Sequence, residues 1–218
     1  MERFLAGPSI VFRIGDVPIT DSLLIGWIIM LILIGAGALV AGRLRERPTG
    51  IQAYVELTVN GLRSMVSDTM GSNRAGFMPF IGALVFFIFI SNILGVFGLR
   101  PPTSDVNITM GMAILTFLLV QLYGIKNKGG FGYIKGFFEP IALLVPLNVI
   151  SELAAPVSLG MRLFGNILGG SVIVALIYEV IPLVVPLPFH LYFDLFVGAI
   201  QTYIFAMLTM VYVKMGME

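Results

Sequence analysis

Long apolar runs alternate with short polar breaks along this chain, and the lengths of the runs decide what each one can be. Residues 22–42, 77–99 and 108–125 are almost wholly apolar. Each is long enough for a helix rising about 1.5 Å per residue to cross a hydrocarbon core of about 30 Å. Arg43, Arg45 and Arg47 close the first run, Arg100, Pro101, Pro102 and Thr103 the second, and Lys126, Lys128 and Lys135 the third. Gly129, Gly130 and Gly132 predict a flexible loop among those lysines. Residues 1–21 are short and mixed, carry Pro8 and Pro18, and lack the basic, apolar and small-residue order of a cleaved leader. They are read as a segment outside the membrane, and the first apolar run as a retained span.

Residues 49–71 follow another rule. Ile51, Val55, Leu62, Met65 and Val66 fall close to one helical face, while Gln52, Glu56, Asn60, Arg63 and Ser67 take other positions. The segment is too polar to span, so the expectation is an interfacial amphipathic helix; an ordinary soluble loop helix is the alternative.

Residues 141–182 and 187–214 are too long for simple crossings. A single helix over the first would reach roughly 60 Å, so it must tilt steeply, break or double back. Within its apolar background stand Pro146, Glu152, Pro156, Arg162, Asn166 and Ser171; the last run carries Asp194 and Gln201 and ends at Lys214.

Composition agrees. With 58% hydrophobic and 11% charged residues, the chain could not cover a water-facing surface. The expected fold class is an all-α integral membrane protein forming a single membrane domain, with five transmembrane helices and one interfacial helix. A net charge of +1 leaves no footprint for nucleic acid, and the lack of cysteine excludes disulfides and thiolate chemistry. Basic residues set the orientation. With the N-terminus outside, Arg43, Arg45, Arg47, Arg63, Arg74, Lys126, Lys128, Lys135 and Lys214 fall inside, and Arg3, Arg13 and Arg100 outside. The C-terminus is then cytoplasmic.

Arg162 remains within the membrane. Its guanidinium keeps its proton, and placing it mid-span costs at least about 2.5–3.5 kcal/mol. Something must compensate it. The two readings are an electrostatic element of an ion path, or a buried salt bridge or snorkelling side chain. Glu152 is ten residues away, Glu179 lies farther toward the outer surface, and Asp194 on the next helix could approach. No acid stands at i+3 or i+4, so the charge can serve a carboxylate of another chain. Ser158 and Asn166 lie one turn either side of Arg162, nearly on its face. Gly160, Gly165, Gly169 and Gly170 strip bulk from this helix, either for packing within the chain or to offer a smooth face to another protein. Asp194 and Gln201, two turns apart, suit a water-filled cation path, although Asp194 could instead cap the helix entry after Pro186 and Pro188. His190 is read as a boundary residue that could shuttle protons at the mouth of the path. No phosphate loop, metal-ligand cluster or nucleophile–base pair is present in the sequence, so no cofactor or metal is expected.

The run Pro156-Val157-Ser158-Leu159-Gly160-Met161-Arg162-Leu163-Phe164-Gly165-Asn166 resembles the signature of the a subunit of F-type ATP synthases. Ser91 to Gly95, Pro102 to Thr109 and Ala199 to Phe205 agree with the family in the same order. The resemblance implies a stator beside a rotating ring of c subunits, a b-subunit peripheral stalk, a bacterial plasma (inner) membrane, and no catalysis by the chain alone. It implies that the last two helices form a tilted hairpin against the ring, and that two offset half-channels carry protons or sodium ions. Arg162 matches the arginine facing the ring carboxylate, Gln201 the glutamine near it, Asn166 the polar residue one turn on, and Asn92 an asparagine of an earlier span. Many relatives pair an acid nine positions after the arginine with a histidine seven before the glutamine; here those positions hold Ser171 and Asp194. Gly95 replaces an acid found in some relatives. The ion path is thus expected to use Arg162, Asn166, Gln201, Asp194, Ser171, Asn92, Glu152 and Ser158. The rivals are a self-contained transporter binding an anionic solute at Arg162, and a purely structural scaffold.

Overall fold

The computed structural model describes residues 9–42, 50–136, 138, 144–180 and 186–217. Arg3, Arg43, Arg45 and Arg47 lie outside the described residues, as do 141–143 and 181–182 of the fourth predicted span. Residues 10–20 of the N-terminal segment take a regular structure that their mixed composition does not suggest. Strands β1 (Ile10–Ile14) and β2 (Val17–Thr20) form an antiparallel hairpin in which Ile14 pairs with Val17. Gly15, at φ 62°, supplies the left-handed turn residue, and Pro18 is tolerated because a two-stranded sheet is all edge. Thr20 then caps α1 (Asp21–Ala41), its hydroxyl accepting from the Leu23 amide at 3.3 Å.

The remaining helices are α2 (Ile51–Met70), α3 (Met78–Val96), α4 (Val106–Gly136), α5 (Val145–Val180) and α6 (Pro186–Met217). Among the described residues, five helices are long and apolar enough to cross a membrane: α1, α3 with its 3-10 lead-in from Ser72, α4 to Tyr133, α5 and α6. The chain is an all-α integral membrane protein. Leu31, Ile32 and Ile34 on α1, with Leu118 and Leu122 on α4, stay exposed, as lipid-facing side chains should.

Two departures from expectation matter. The lysine-rich segment after the third span is not a flexible loop. α4 continues through it, breaking only at Gly129, where φ of 72° turns the chain and lets the helix restart. Over its described residues the fourth span neither breaks nor doubles back. α5 is one 36-residue helix with Pro156 inside it, so at about 54 Å it must cross at a steep tilt.

The amphipathic pattern predicted over 49–71 is a helix at Ile51–Met70. Leu62, Val66 and Met70 are its buried residues, and Val66 and Met70 pack with Ile81 of α3 and with Met210 and Val213 at the C-terminal end of α6. A second cluster, including Ile88, Leu159, Leu163, Ile167 and Phe205, joins α3, α5 and α6 in the middle of the molecule. It fixes which face of α5 turns outward.

Candidate functional site

Leu159, Gly160, Leu163 and Ile167 occupy the buried face of α5. The other side of the helix turns outward, with Ser158, Arg162, Gly165 and Gly169 exposed on it, and Asn166, also exposed, lies at its edge toward α6. Among the described residues Arg162 has neither a hydrogen bond nor an ion pair. The four glycines divide by face. A Cβ at Gly160 would lie 3.2 Å from the Thr109 carbonyl oxygen on α4, and one at Gly170 would lie 3.0 Å from the Phe193 Cβ on α6. These two glycines permit close helix crossing within the chain. Gly165 and Gly169 have nothing within 4 Å and leave a smooth strip beside Arg162.

Asn166 and Gln201 meet. The Asn166 amide donates to Gln201 Oε1 at 2.7 Å, linking the Arg162 face to α6. Gln201 is only 2% exposed, and its Nε2 is buried with no partner among the described residues. A buried, unpaired donor costs about 1–3 kcal/mol, so this amide is a conspicuous unmet group beside the face carrying Arg162.

Asp194 lies in a π-helical stretch of α6, Leu191–Val197. Its carboxylate does not cap the helix entry; it meets His190 Nδ1 at 2.6 Å, one turn back. Room for it comes from Gly95 on α3, where a Cβ would fall 2.6 Å from Asp194 Cγ. The glycine at 95 and the acid at 194, which looked like two separate departures from the family pattern, are thus one packing solution. Asp194, His190, Gly95, Ser171 and Tyr178 line a cleft of about 270 Å³. The Ser171 hydroxyl donates to the Ile167 carbonyl at 2.8 Å.

Asn92, 1% exposed, is fully engaged. Its amide donates to the Gly198 carbonyl at 3.1 Å, and its oxygen accepts from the Thr103 hydroxyl at 2.7 Å. Gly198 immediately follows the π stretch, so Asn92 ties α3 to the irregular turn that carries Asp194.

Glu152 lies apart from Arg162, on the lysine-rich side. Gln121 Nε2 donates to Glu152 Oε1 at 2.7 Å, and the Tyr133 hydroxyl meets both Glu152 and Gln121. Glu152 lines two cavities, of about 260 and 250 Å³. The predicted residues therefore form three groups: Arg162, Ser158, Asn166 and Gln201; Asp194 with Ser171, braced by Asn92; and Glu152 alone. Gln121 and Tyr133 were not foreseen as parts of the path, and His190, read as a boundary residue that could shuttle protons at its mouth, was not foreseen as the partner of Asp194. His190 has an i,i+4 spacing to Asp194 that could have signalled the pair. Gln121 offered only a polar residue near the end of a span, and Tyr133 offered nothing until the turn at Gly129 was known.

Fold and site together define a class: a polytopic membrane protein presenting, among its described residues, an unpaired cation on a bulk-free helix face, with largely apolar clefts that hold Asp194 and Glu152 toward either end of that helix. Comparison with known proteins names the family. The family described as ATP synthase A chain matches residues 23–214. "ATP synthase subunit a, sodium ion specific" of Propionigenium modestum is 37% identical over 213 residues, covering 90% of this chain and 74% of that protein. "ATP synthase subunit a" of Moorella thermoacetica is 35% identical over 207 residues, covering 94% of each. That of Trichlorobacter lovleyi is 37% identical over 197 residues, covering 88% of this chain and 85% of that protein. The chain belongs to the ATP synthase A chain family, whose members are non-catalytic, ion-translocating subunits of the membrane sector of F-type ATP synthases.

Proposed function

We propose that the chain is the stator a subunit beside a c-subunit ring, held by a b-subunit peripheral stalk, and that Arg162 faces the ring carboxylates. The observation that carries this reading is the exposed Arg162, unpaired among the described residues, with Gly165 and Gly169 open beside it. A charge in lipid needs a partner, and a neighbouring ring of acids supplies one. The cleft at Asp194, His190 and Ser171 is the outer half-channel, and the cavities at Glu152 are the inner one.

A proton or sodium ion enters one half-channel, neutralises a ring carboxylate and rides round through lipid. It leaves by the other half-channel when Arg162 favours the ionised form again. The fixed charge also repels cations and prevents a direct leak. Each elementary charge moved supplies about 2.3 kcal/mol per 100 mV.

The orientation is N-terminus outside and C-terminus cytoplasmic, in a bacterial inner membrane. It draws support from packing that gathers basic residues at one end. α2, bearing Arg63, packs against the end of α6 that carries Lys214, and Gly124, just before Lys126, abuts Gly216. Because the chain lacks cysteine, single cysteines test the interface directly. Gly169→Cys should form disulfides with cysteines placed beside the c-subunit carboxylate, and Leu122→Cys on the lipid face should not. Equal cross-linking at both positions, or none at Gly169→Cys, contradicts the reading.

A further inference from the structure

Glu152 sits where two cavities meet, and Val120, Asn148 and Met215 line both. One cavity continues past Thr116 and Leu159; the other opens beside Lys128 and Tyr133. The neck between them is formed by Val120 of α4, Asn148 and Glu152 of α5 and Met215 of α6. After the turn at Gly129 the chain folds back and carries the Tyr133 hydroxyl to Glu152 Oε1, the same oxygen that accepts from Gln121. Gly124 makes room for the tyrosine, since a Cβ there would lie 2.8 Å from Tyr133 Cε2. Crossing a membrane requires neither the turn nor the fold-back. Together they bring the Tyr133 hydroxyl to a carboxylate oxygen that Gln121, before the turn, already reaches.

We propose that Tyr133 and Gln121 are positioning residues that hold the Glu152 carboxylate as a weak, open station for a monovalent cation at the neck between these cavities. The inference rests on the reading of this end as the inner half-channel. The single Tyr133 hydroxyl proton reaches both Glu152 Oε1 and Gln121 Oε1. Directed to the ionised carboxylate, the stronger acceptor, it joins the Gln121 amide as a second donor on one oxygen. The two donors stabilise the charge and occupy lone pairs that a proton or a sodium ion would otherwise take. They therefore lower affinity for either cation, which a station on a through-path needs if ions are to leave as readily as they arrive. Among the described residues, the other charged or titratable groups lining these cavities are Lys128 and Tyr133 from α4 and Tyr212 from α6. Lys128 adds to the same effect, since a nearby positive charge weakens cation binding.

The test uses the whole complex in inverted vesicles. ATP-driven pumping is measured against cation concentration on the exposed side, in a pH series without sodium and in a sodium series with protonophore. Rates are normalised to ATP hydrolysis with the gradient dissipated. In whichever series the wild-type complex saturates, Tyr133→Phe should lower the half-saturating cation concentration about three- to tenfold, the equivalent of one hydrogen bond. Gln121→Met should shift it the same way, and serves if Tyr133→Phe assembles poorly. Assembled variants whose half-saturation is unchanged or raised would overturn the inference, even where their maximal rate has fallen. Arg162→Ala separates the two levels. If it still pumps, the half-channel reading itself fails. If it is inactive while Tyr133→Phe and Gln121→Met match wild type, only the present inference fails.

Discussion

Asp194 fills the space that Gly95 leaves empty: a Cβ at position 95 would stand 2.6 Å from the Asp194 Cγ. Two residues far apart in sequence therefore form one unit, and neither can be read alone. Gly95→Ala should push the carboxylate away from His190 and cost about 1–3 kcal/mol of stability through overpacking. Ion translocation should fall with it. Gly95→Asp combined with Asp194→Gly should recover part of the flux lost in Gly95→Asp alone. Pumping by the reconstituted complex checks this, and equal rates in the single and double variants would exclude the shared site.

His190 is the hydrogen-bond partner of Asp194. His190→Phe keeps an aromatic ring beside Tyr178 but removes the partner of a buried carboxylate. Translocation should slow at least several-fold, while the amount of assembled complex stays near wild type. Flux that matches wild type would make His190 a boundary residue, as its sequence neighbours Phe189 and Leu191 suggest.

The bond from Asn166 to Gln201 couples α5 to α6. Asn166→Leu, Gln201→Leu and the double variant form a cycle, and the coupling between the two residues should be about 0.5–3 kcal/mol in thermal unfolding of the complex. Strict additivity would mean that the two amides do not meet in the assembled protein.

Asn92 holds the backbone of Gly198. Asn92→Leu removes one donor from that carbonyl, which keeps the Thr202 hydroxyl, and strips the buried Asn92 position of the acceptor that the Thr103 hydroxyl uses. A destabilisation of about 1–3 kcal/mol is expected, measured as a lower unfolding temperature of the complex. Thr103→Val should cost less, because only one of the two bonds is lost. A larger effect of Thr103→Val would mean that the strut runs differently.

How far the sequence carried can be judged at individual residues. The spans were legible because an apolar run long enough to cross a bilayer is a local property. Arg162 stood out for a related reason, as the only cation placed within the membrane after the charges were assigned to the two sides. The helix at 49–71 was visible in its periodicity. By contrast, Tyr133 reaches Glu152 only because Gly129 turns the helix, and a glycine-rich, lysine-rich stretch reads equally well as a loop. The hairpin at Ile10–Thr20 was masked by Pro18 and by interspersed charge, although its turn at Gly15 and Asp16 was in plain view. The π stretch at Leu191–Val197 has no periodic signature, since it changes the backbone and not the residue pattern. The glycines beside Arg162 were recognised as small, but which of them face α4 and α6 and which face outward depends on packing among three helices.

The central claim is that a permanent cation, left unpaired by the described residues of its own chain, acts on the acids of a neighbouring ring. The most direct measurement is proton- or sodium-driven ATP synthesis by reconstituted complexes carrying Arg162→Ala or Arg162→Lys, with assembly verified. The account predicts that Arg162→Ala abolishes synthesis and ATP-driven pumping, and that Arg162→Lys nearly does, because a buried lysine can lose its proton and lacks the planar guanidinium fork. Gradient-driven synthesis at the wild-type rate by assembled Arg162→Ala complexes would contradict it.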